Sequence, residues 1–447
     1  MKFLALTIIT IIIGCLIGWL VARQTYMGVL FTLLLTLLLL LQFVDESLLV
    51  SSFLFITLLL NLREAALAHE SIGANMIWII AAIYVGACLF RYQDHLVQRS
   101  RKLPRAEWLF VLYIMWGFMV SLLVGDTSKA FGRLFALCIM YLLFFRCFPF
   151  PVEKLLRKGK AGNLFLMLSV GCSAFAFVSI IYTVIGSADA RIPAQVPWIE
   201  PFDRVRGVFG TPNALGLNAL VGFSWSVVAL LLVRKIYWKI LGVVGIIVSL
   251  MALFLSNSRA SIVSALLFAT VIAYAYVRSE KVMMRITLFI IAGLSLYWYY
   301  KPYLPILVTY ITRGQTDVLI DRRLIYLFAW NRAIENPFGY GWAHVPMLPG
   351  PLDSAYMAVL LETGFFGLTL YGGFLLINLL KSIWLATRFP KHGPVSKLLW
   401  SCAALMAAAI VHGLFESSIN SPTLTLTQSF FLACVLAESQ NRMGGSD

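Results

Sequence analysis

The chain has 447 residues, of which 61% are hydrophobic and 12% charged, and carries a formal net charge of +15. Soluble globular chains carry about 25% charged residues, so these figures exclude an ordinary soluble domain. The basic excess does not read as a nucleic-acid surface either, because it collects in short loops between apolar runs.

Runs such as Leu4–Val21, Trp108–Val124, Leu215–Val233 and Leu241–Leu255 reach or approach the ~20 residues that cross a bilayer. The expected fold is all-α, a polytopic transmembrane helical bundle. Apolar segments near 4–22, 26–44, 47–62, 74–90, 107–124, 130–147, 162–186, 214–233, 238–256, 260–277, 284–300, 354–380, 397–412 and 422–437 give about fourteen spans. Twelve is the alternative, if two short early segments are re-entrant or merged. Met1-Lys2-Phe3 leads into its apolar run without a small-residue cleavage site, which reads as a first span rather than a removed signal.

Five basic loops set the orientation: Arg91 to Arg105, Arg146 to Lys160, Arg234 to Lys239, Arg278 to Arg285 and Lys381 to Lys397. Placing them in the cytoplasm by the positive-inside rule puts both termini there and requires an even count. The loops at 187–213, 256–260, 301–353 and 413–421 then face the opposite, periplasmic side. The chain divides into N-terminal helices (1–186), a region 187–420 that carries the polar motifs, and a last span with its tail (421–447). The seven cysteines lie in or beside apolar runs without C-x-x-C spacing, so they read as small buried apolar residues. No G-x-x-x-x-G-K-[ST] loop is present, so any energy for chemistry must arrive with an activated substrate.

The outward loops hold the candidate chemistry. Arg204-Val205-Arg206-Gly207-Val208-Phe209-Gly210-Thr211-Pro212-Asn213 places two arginines beside a helix start, where free N–H groups and the helix dipole favour an anion. The same arginines also suit an interfacial site for lipid phosphate. Ser256-Asn257-Ser258-Arg259-Ala260-Ser261 is either a second basic site or a plain hairpin turn between spans. Arg322-Arg323 makes a third, and three arginine sites match a diphosphate, because guanidinium pairs phosphate oxygens bidentately. The long polar segment goes on through Asn336-Pro337-Phe338-Gly339-Tyr340-Gly341 and His344 before Asp353-Ser354-Ala355-Tyr356 opens an apolar helix. At the last outward loop His412 and Glu416 stand i, i+4, either supporting a site as a pair or making interhelical hydrogen bonds.

These motifs, in this order, resemble the bacterial O-antigen ligase and polymerase superfamily of membrane glycosyltransferases over roughly residues 200–420. Arg204, Gly207, Phe209, Pro212 and Asn213 fall in register with an R-x-x-G-x-F-x-x-P-N loop, and Ser258-Arg259 with an S-R pair between spans. Arg323 followed by Asn336 to Gly341 is similar to an Arg and N-P-x-x-G-x-G, one residue shorter in its glycine spacing. Asp353 to Tyr356 with Leu361-Glu362-Thr363-Gly364 is similar to H-N-x-Y-L-x-x-L-x-E-x-G. Asp353 stands where ligases of that superfamily carry a histidine, which tilts the resemblance toward polymerases. His344, nine residues upstream, would fill the same space if the loop folds back.

The resemblance implies a donor glycan on undecaprenyl diphosphate, an acceptor hydroxyl on a glycan or on lipid A-core, no cofactor and no metal, in the bacterial inner membrane. Glycosyl transfer needs a base for the hydroxyl and cations for the leaving diphosphate. The candidate catalytic residues are therefore Asp353 as base with Arg204, Arg259 and Arg323 at the diphosphate. Arg206, Asn213, Arg322, His344, Tyr356 and His412 are candidates for substrate binding. Asp353 also reads as a helix cap. Trp330, Tyr340, Trp342 and Tyr356 read either as sugar platforms or as an interfacial aromatic belt.

Overall fold

A computed structural model describes residues 44–60, 80–92, 105–125, 127–185, 191–192, 204–209, 211–277, 320–342, 353–390, 393–416, 419 and 424–444. The expected spans at 4–22, 26–44 and 284–300, and most of the segment 301–353 including His344, lie outside the described residues. Among the described residues, seven helices are long and apolar enough to cross a membrane, as a polytopic membrane bundle requires.

In chain order the helices are α1 (Glu46–Leu60), α2 (Ile80–Tyr92), α3 (Arg105–Val124), α4 (Thr127–Tyr141), α5 (Pro149–Arg157) and α6 (Ala161–Val184). Then come α7 (Pro212–Leu232), α8 (Ile236–Ser256), α9 (Arg259–Val277), α10 (Ile320–Glu335), α11 (Ala355–Arg388), α12 (Pro394–Phe415) and α13 (Thr425–Gly444). A π-helical turn, Leu142–Cys147, joins α4 to α5. Between α6 and α7 the chain forms two short strands, β1 (Arg191–Ile192) and β2 (Arg204–Val205), paired antiparallel with Arg191 opposite Val205. That small ribbon departs from the all-helical expectation, and it lies in the loop that carries Arg204.

In hydrocarbon, the attraction between apolar faces that drives packing in water is absent, so close approach and interhelical hydrogen bonds take over. The sheet of contacts among α6, α7 and α8 follows that rule. Ser169 and Ser226 hydroxyls bond at 2.6 Å across α6 and α7, and Gly222 and Gly245 admit serines of the facing helices. Beside this small-residue layer, Phe110, Phe144, Phe145, Phe374, Phe430 and Phe431 interlock edge to face.

The two ends of the bundle differ in chemistry. One end, the basic end, gathers carboxylates onto the cationic loops. Glu46 meets Lys154 at 2.5 Å, Arg91 at 3.4 Å and Lys158 at 3.5 Å. Glu107 faces Arg146 at 3.7 Å, and Glu438 pairs with both Lys381 and Arg442. The other end, the loop end, holds β2, the α8–α9 turn, α10 and the start of α11.

The helix expected as one span from 354 onward is interrupted. Gly364 takes φ +68°, ψ −173°, and breaks α11 into a nine-residue piece and a long span. The turn Asn336–Gly341 docks into that break. Tyr340 N donates to Leu361 O at 2.8 Å, Gly341 N to Glu362 O at 2.9 Å, and Phe365 N to Pro337 O at 3.0 Å. Gly339 and Gly341, at φ +96° and +82°, supply the left-handed backbone this needs. Trp342 follows the turn into the core against Gly117, with its backbone N–H donating to Ser121 Oγ at 2.7 Å. Trp116 Nε1 closes the joint on Thr363 O at 2.8 Å.

Candidate functional site

The extended strand β2 packs against α8 and α7, and the residues after it meet α6. Extended residues alternate sides, so Val205 is buried while Arg204 and Arg206 are each half-buried on the other side. Gly207, at φ +59°, turns the chain directly over Ser179, and Phe209 buries its ring. Thr211 then caps α7, its hydroxyl accepting from Ala214 N at 3.1 Å, with Pro212 at the first helical position, where its missing N–H costs nothing. The sequence Gly207 to Asn213 is thus a turn, a buried anchor and a helix start in seven residues.

Arg204 is fixed from two directions. Its Nε donates to Ser256 O at 3.3 Å, and a terminal nitrogen donates to Asn213 Oδ1 at 2.6 Å. Ser256 is the last residue of α8, so its carbonyl lies at the negative end of that helix. Asn213 in turn donates from Nδ2 to Glu416 Oε1 at 2.7 Å. One amide therefore connects a guanidinium to a carboxylate, and the two bonds fix which way the amide faces.

The α8–α9 turn is built by Asn257 in the left-handed region, φ 45°, which asparagine tolerates better than most residues. Ser258 opens α9: its carbonyl accepts from Ile262 N at 2.9 Å and its hydroxyl bonds Ser261 Oγ at 3.0 Å. Gly216 admits Ser258 against α7, so the first turns of α7 and α9 pack together. Arg259 occupies the first position of α9, half-buried. A cation there faces the positive end of the helix dipole, an arrangement that costs about 0.3–1 kcal/mol and that an anion would offset.

Four elements converge on the last turns of α12. Tyr356 of α11 donates its hydroxyl to Ile410 O at 2.8 Å, and its ring lies over Gly413. Ser261 of α9 bonds His412 Nε2 at 3.1 Å. Tyr326 of α10 reaches Leu414 O at 3.4 Å, and Asn213 of α7 reaches Glu416. His412 is only 1% exposed. Glu416 lies past the helix end with extended backbone, and the two side chains bond different helices, His412 to Ser261 of α9 and Glu416 to Asn213 of α7. For His412 the interhelical hydrogen bond is the arrangement found.

The other expected residues distribute as follows. Asp353 is half-buried one residue ahead of Ser354. Ser354 is the cap of α11, its hydroxyl accepting from Met357 N at 3.5 Å. Arg322 and Arg323 lie in the first turn of α10, one turn before Tyr326, and their side chains are outside the described residues. Trp342 is fully buried and is no sugar platform. Tyr340 spends its hydroxyl on Arg332 O at 3.1 Å, whereas Trp330 remains exposed beside Phe365. The bonds of Ser261 to His412 and of Glu416 to Asn213 join residues 151 and 203 positions apart, a separation that leaves no local signal in the sequence. Among the described residues, no three His, Cys, Asp or Glu side chains group as they would around a metal ion.

Compared with known proteins, the chain matches no family model and no curated protein.

Proposed function

We propose that the protein is a membrane glycosyltransferase of the O-antigen ligase and polymerase type, extending glycans carried on undecaprenyl diphosphate. In this reading the chain crosses the bacterial inner membrane about fourteen times, with both termini cytoplasmic and the loop end, including segment 301–353, in the periplasm. The observation that carries the reading is the convergence at the end of α12. Arg204 is held between the end of α8 and the start of α7, and Arg259 lies three residues beyond Ser256 in the same turn. Two arginines borne by neighbouring elements, beside the N-termini of α7 and α9, suit a diphosphate.

In the reaction, an acceptor hydroxyl oxygen attacks the anomeric carbon of the donor sugar. The bond from that carbon to the phosphate oxygen breaks, and its electron pair leaves with the lipid diphosphate. Arg204 and Arg259 stabilise that leaving charge, and Arg323 joins them. The hydroxyl proton passes to the carboxylate of Asp353. Asp353 is one turn ahead of Tyr356, whose anchorage on α12 ties this helix start to the arginine cluster. Asp353 in place of a histidine favours polymerisation over transfer to lipid A-core.

Deleting the gene and resolving the cell's glycolipids on a gel tests the assignment. A polymerase leaves single repeats on the core and no long chains. Uncapped core with accumulated lipid-linked chains indicates a ligase, and an unchanged ladder counts against both.

A further inference from the structure

On the flank of the basic end, the ends of α9, α11 and α12 diverge and leave a groove of about 560 Å³. Tyr274, Ala275, Ile383, Ala386, Phe389 and Trp400 line it. Its volume lies within the ~300–1,000 Å³ typical of ligand pockets. Ala275 and Ala386 are small residues of its lining, and Tyr274 and Trp400 brace its wall edge to face, ring centres 6.1 Å apart. Tyr274 is 67% exposed, and Leu380 and Trp384 on the neighbouring face of α11 are exposed as well. The groove therefore opens on the apolar flank of a membrane-spanning bundle, where hydrocarbon is the surrounding solvent.

A cation stands next to the lining in sequence and at the same helix end. Arg388, between the lining residues Thr387 and Phe389, holds its guanidinium 3.5 Å from the centre of the Trp384 ring. That stacking fixes a permanent charge at the level where the helix ends, beside an apolar slot. Lys397 follows in the first turn of α12, three residues before Trp400.

We propose that this groove binds one acyl chain of an anionic phospholipid from the leaflet at the basic end, with the headgroup phosphate against Arg388. The apolar lining takes the chain, and the guanidinium selects the charge of the headgroup. The site is separate from the arginine cluster at the loop end and does not depend on the reaction assigned there.

The test uses the full chain, purified in mild detergent micelles doped with equal amounts of phosphatidylglycerol and phosphatidylcholine, with retained lipids counted by native mass spectrometry. The expected result is preferential retention of one phosphatidylglycerol per chain. Ala275→Phe, which fills the groove, removes that lipid, whereas Ala273→Phe, exposed on the same helix, leaves it in place. Should Ala275→Phe fail to fold, Ile383→Trp fills the same space from α11. Arg388→Gln lowers the preference for phosphatidylglycerol about fivefold, the worth of one cation near an anionic surface. Equal retention of the two lipids overturns the proposal. So does retention that survives both filling variants, or displacement of the lipid by an equal amount of polyprenyl phosphate.

Discussion

The basic end and the loop end use the same residue types differently. At the basic end carboxylates contact the cations directly, as Glu46 does with Lys154, Arg91 and Lys158 and Glu438 with Lys381 and Arg442. Charge there ties helix to helix. At the loop end Arg204 is held by a backbone carbonyl and an amide oxygen, and reaches Glu416 through Asn213. The carbonyl and the amide oxygen together fix the orientation of that guanidinium. The difference separates cations that tie helix to helix through carboxylates from an arginine oriented by a helix end and an amide.

Substitutions at the two ends should therefore separate activity from stability. The largest effect is expected for Arg204→Lys, which keeps the charge but loses the fork that reaches Ser256 and Asn213 together. Glycan transfer in membrane vesicles should fall about 10²–10³-fold, the scale of removing one transition-state donor, with little change in melting temperature. Normal transfer would remove the loop end's special status.

Gly364→Ala comes next. A side chain at φ +68° costs about 1–2 kcal/mol, and its Cβ would collide with Pro337 O, adding about 1–3 kcal/mol of strain. Thermal unfolding in detergent should show the loss, together with proteolysis of the released turn. Asn213→Ala removes the link between Arg204 and Glu416, and is expected to cost about 1–3 kcal/mol by leaving both partners short of a bond. It should lower activity as well as stability. The smallest effect is expected at the basic end: Glu438→Gln, in a partly exposed pair, should lower stability by about 1 kcal/mol or less and leave transfer unchanged. If Glu438→Gln abolished transfer, the contrast between the ends would fail.

Much of the fold was legible because bilayer thickness writes itself into the chain as long apolar runs, and those at 107–124, 162–186 and 214–233 correspond to α3, α6 and α7. The arginine loop was also legible, since glycine, proline and asparagine at fixed offsets announce a turn and a helix start. The break at Gly364 was not. Hydropathy runs through it unchanged, and the reason for it lies in the carbonyl of Pro337, 27 positions earlier. The i, i+4 spacing of His412 and Glu416 suggested one face of one helix, but α12 ends between them and sends the two side chains to different neighbours. Trp342 looked like an interfacial aromatic because the sequence cannot say that Gly117 leaves room for it.

The interruption of α11 also sets a depth. Unbroken, its 34 residues would make a rod of about 51 Å, far more than the ~30 Å of hydrocarbon in a bilayer. Cut at Gly364, the longer piece of about 36 Å suffices to cross alone. The short arm of about 13 Å takes its own direction, held by Tyr356 on Ile410 O and by the turn seated against Leu361 and Glu362. Asp353 precedes that arm and Tyr356 lies in its first turn, so the turn seated in the joint, which sets the angle of the arm, also sets where both residues stand.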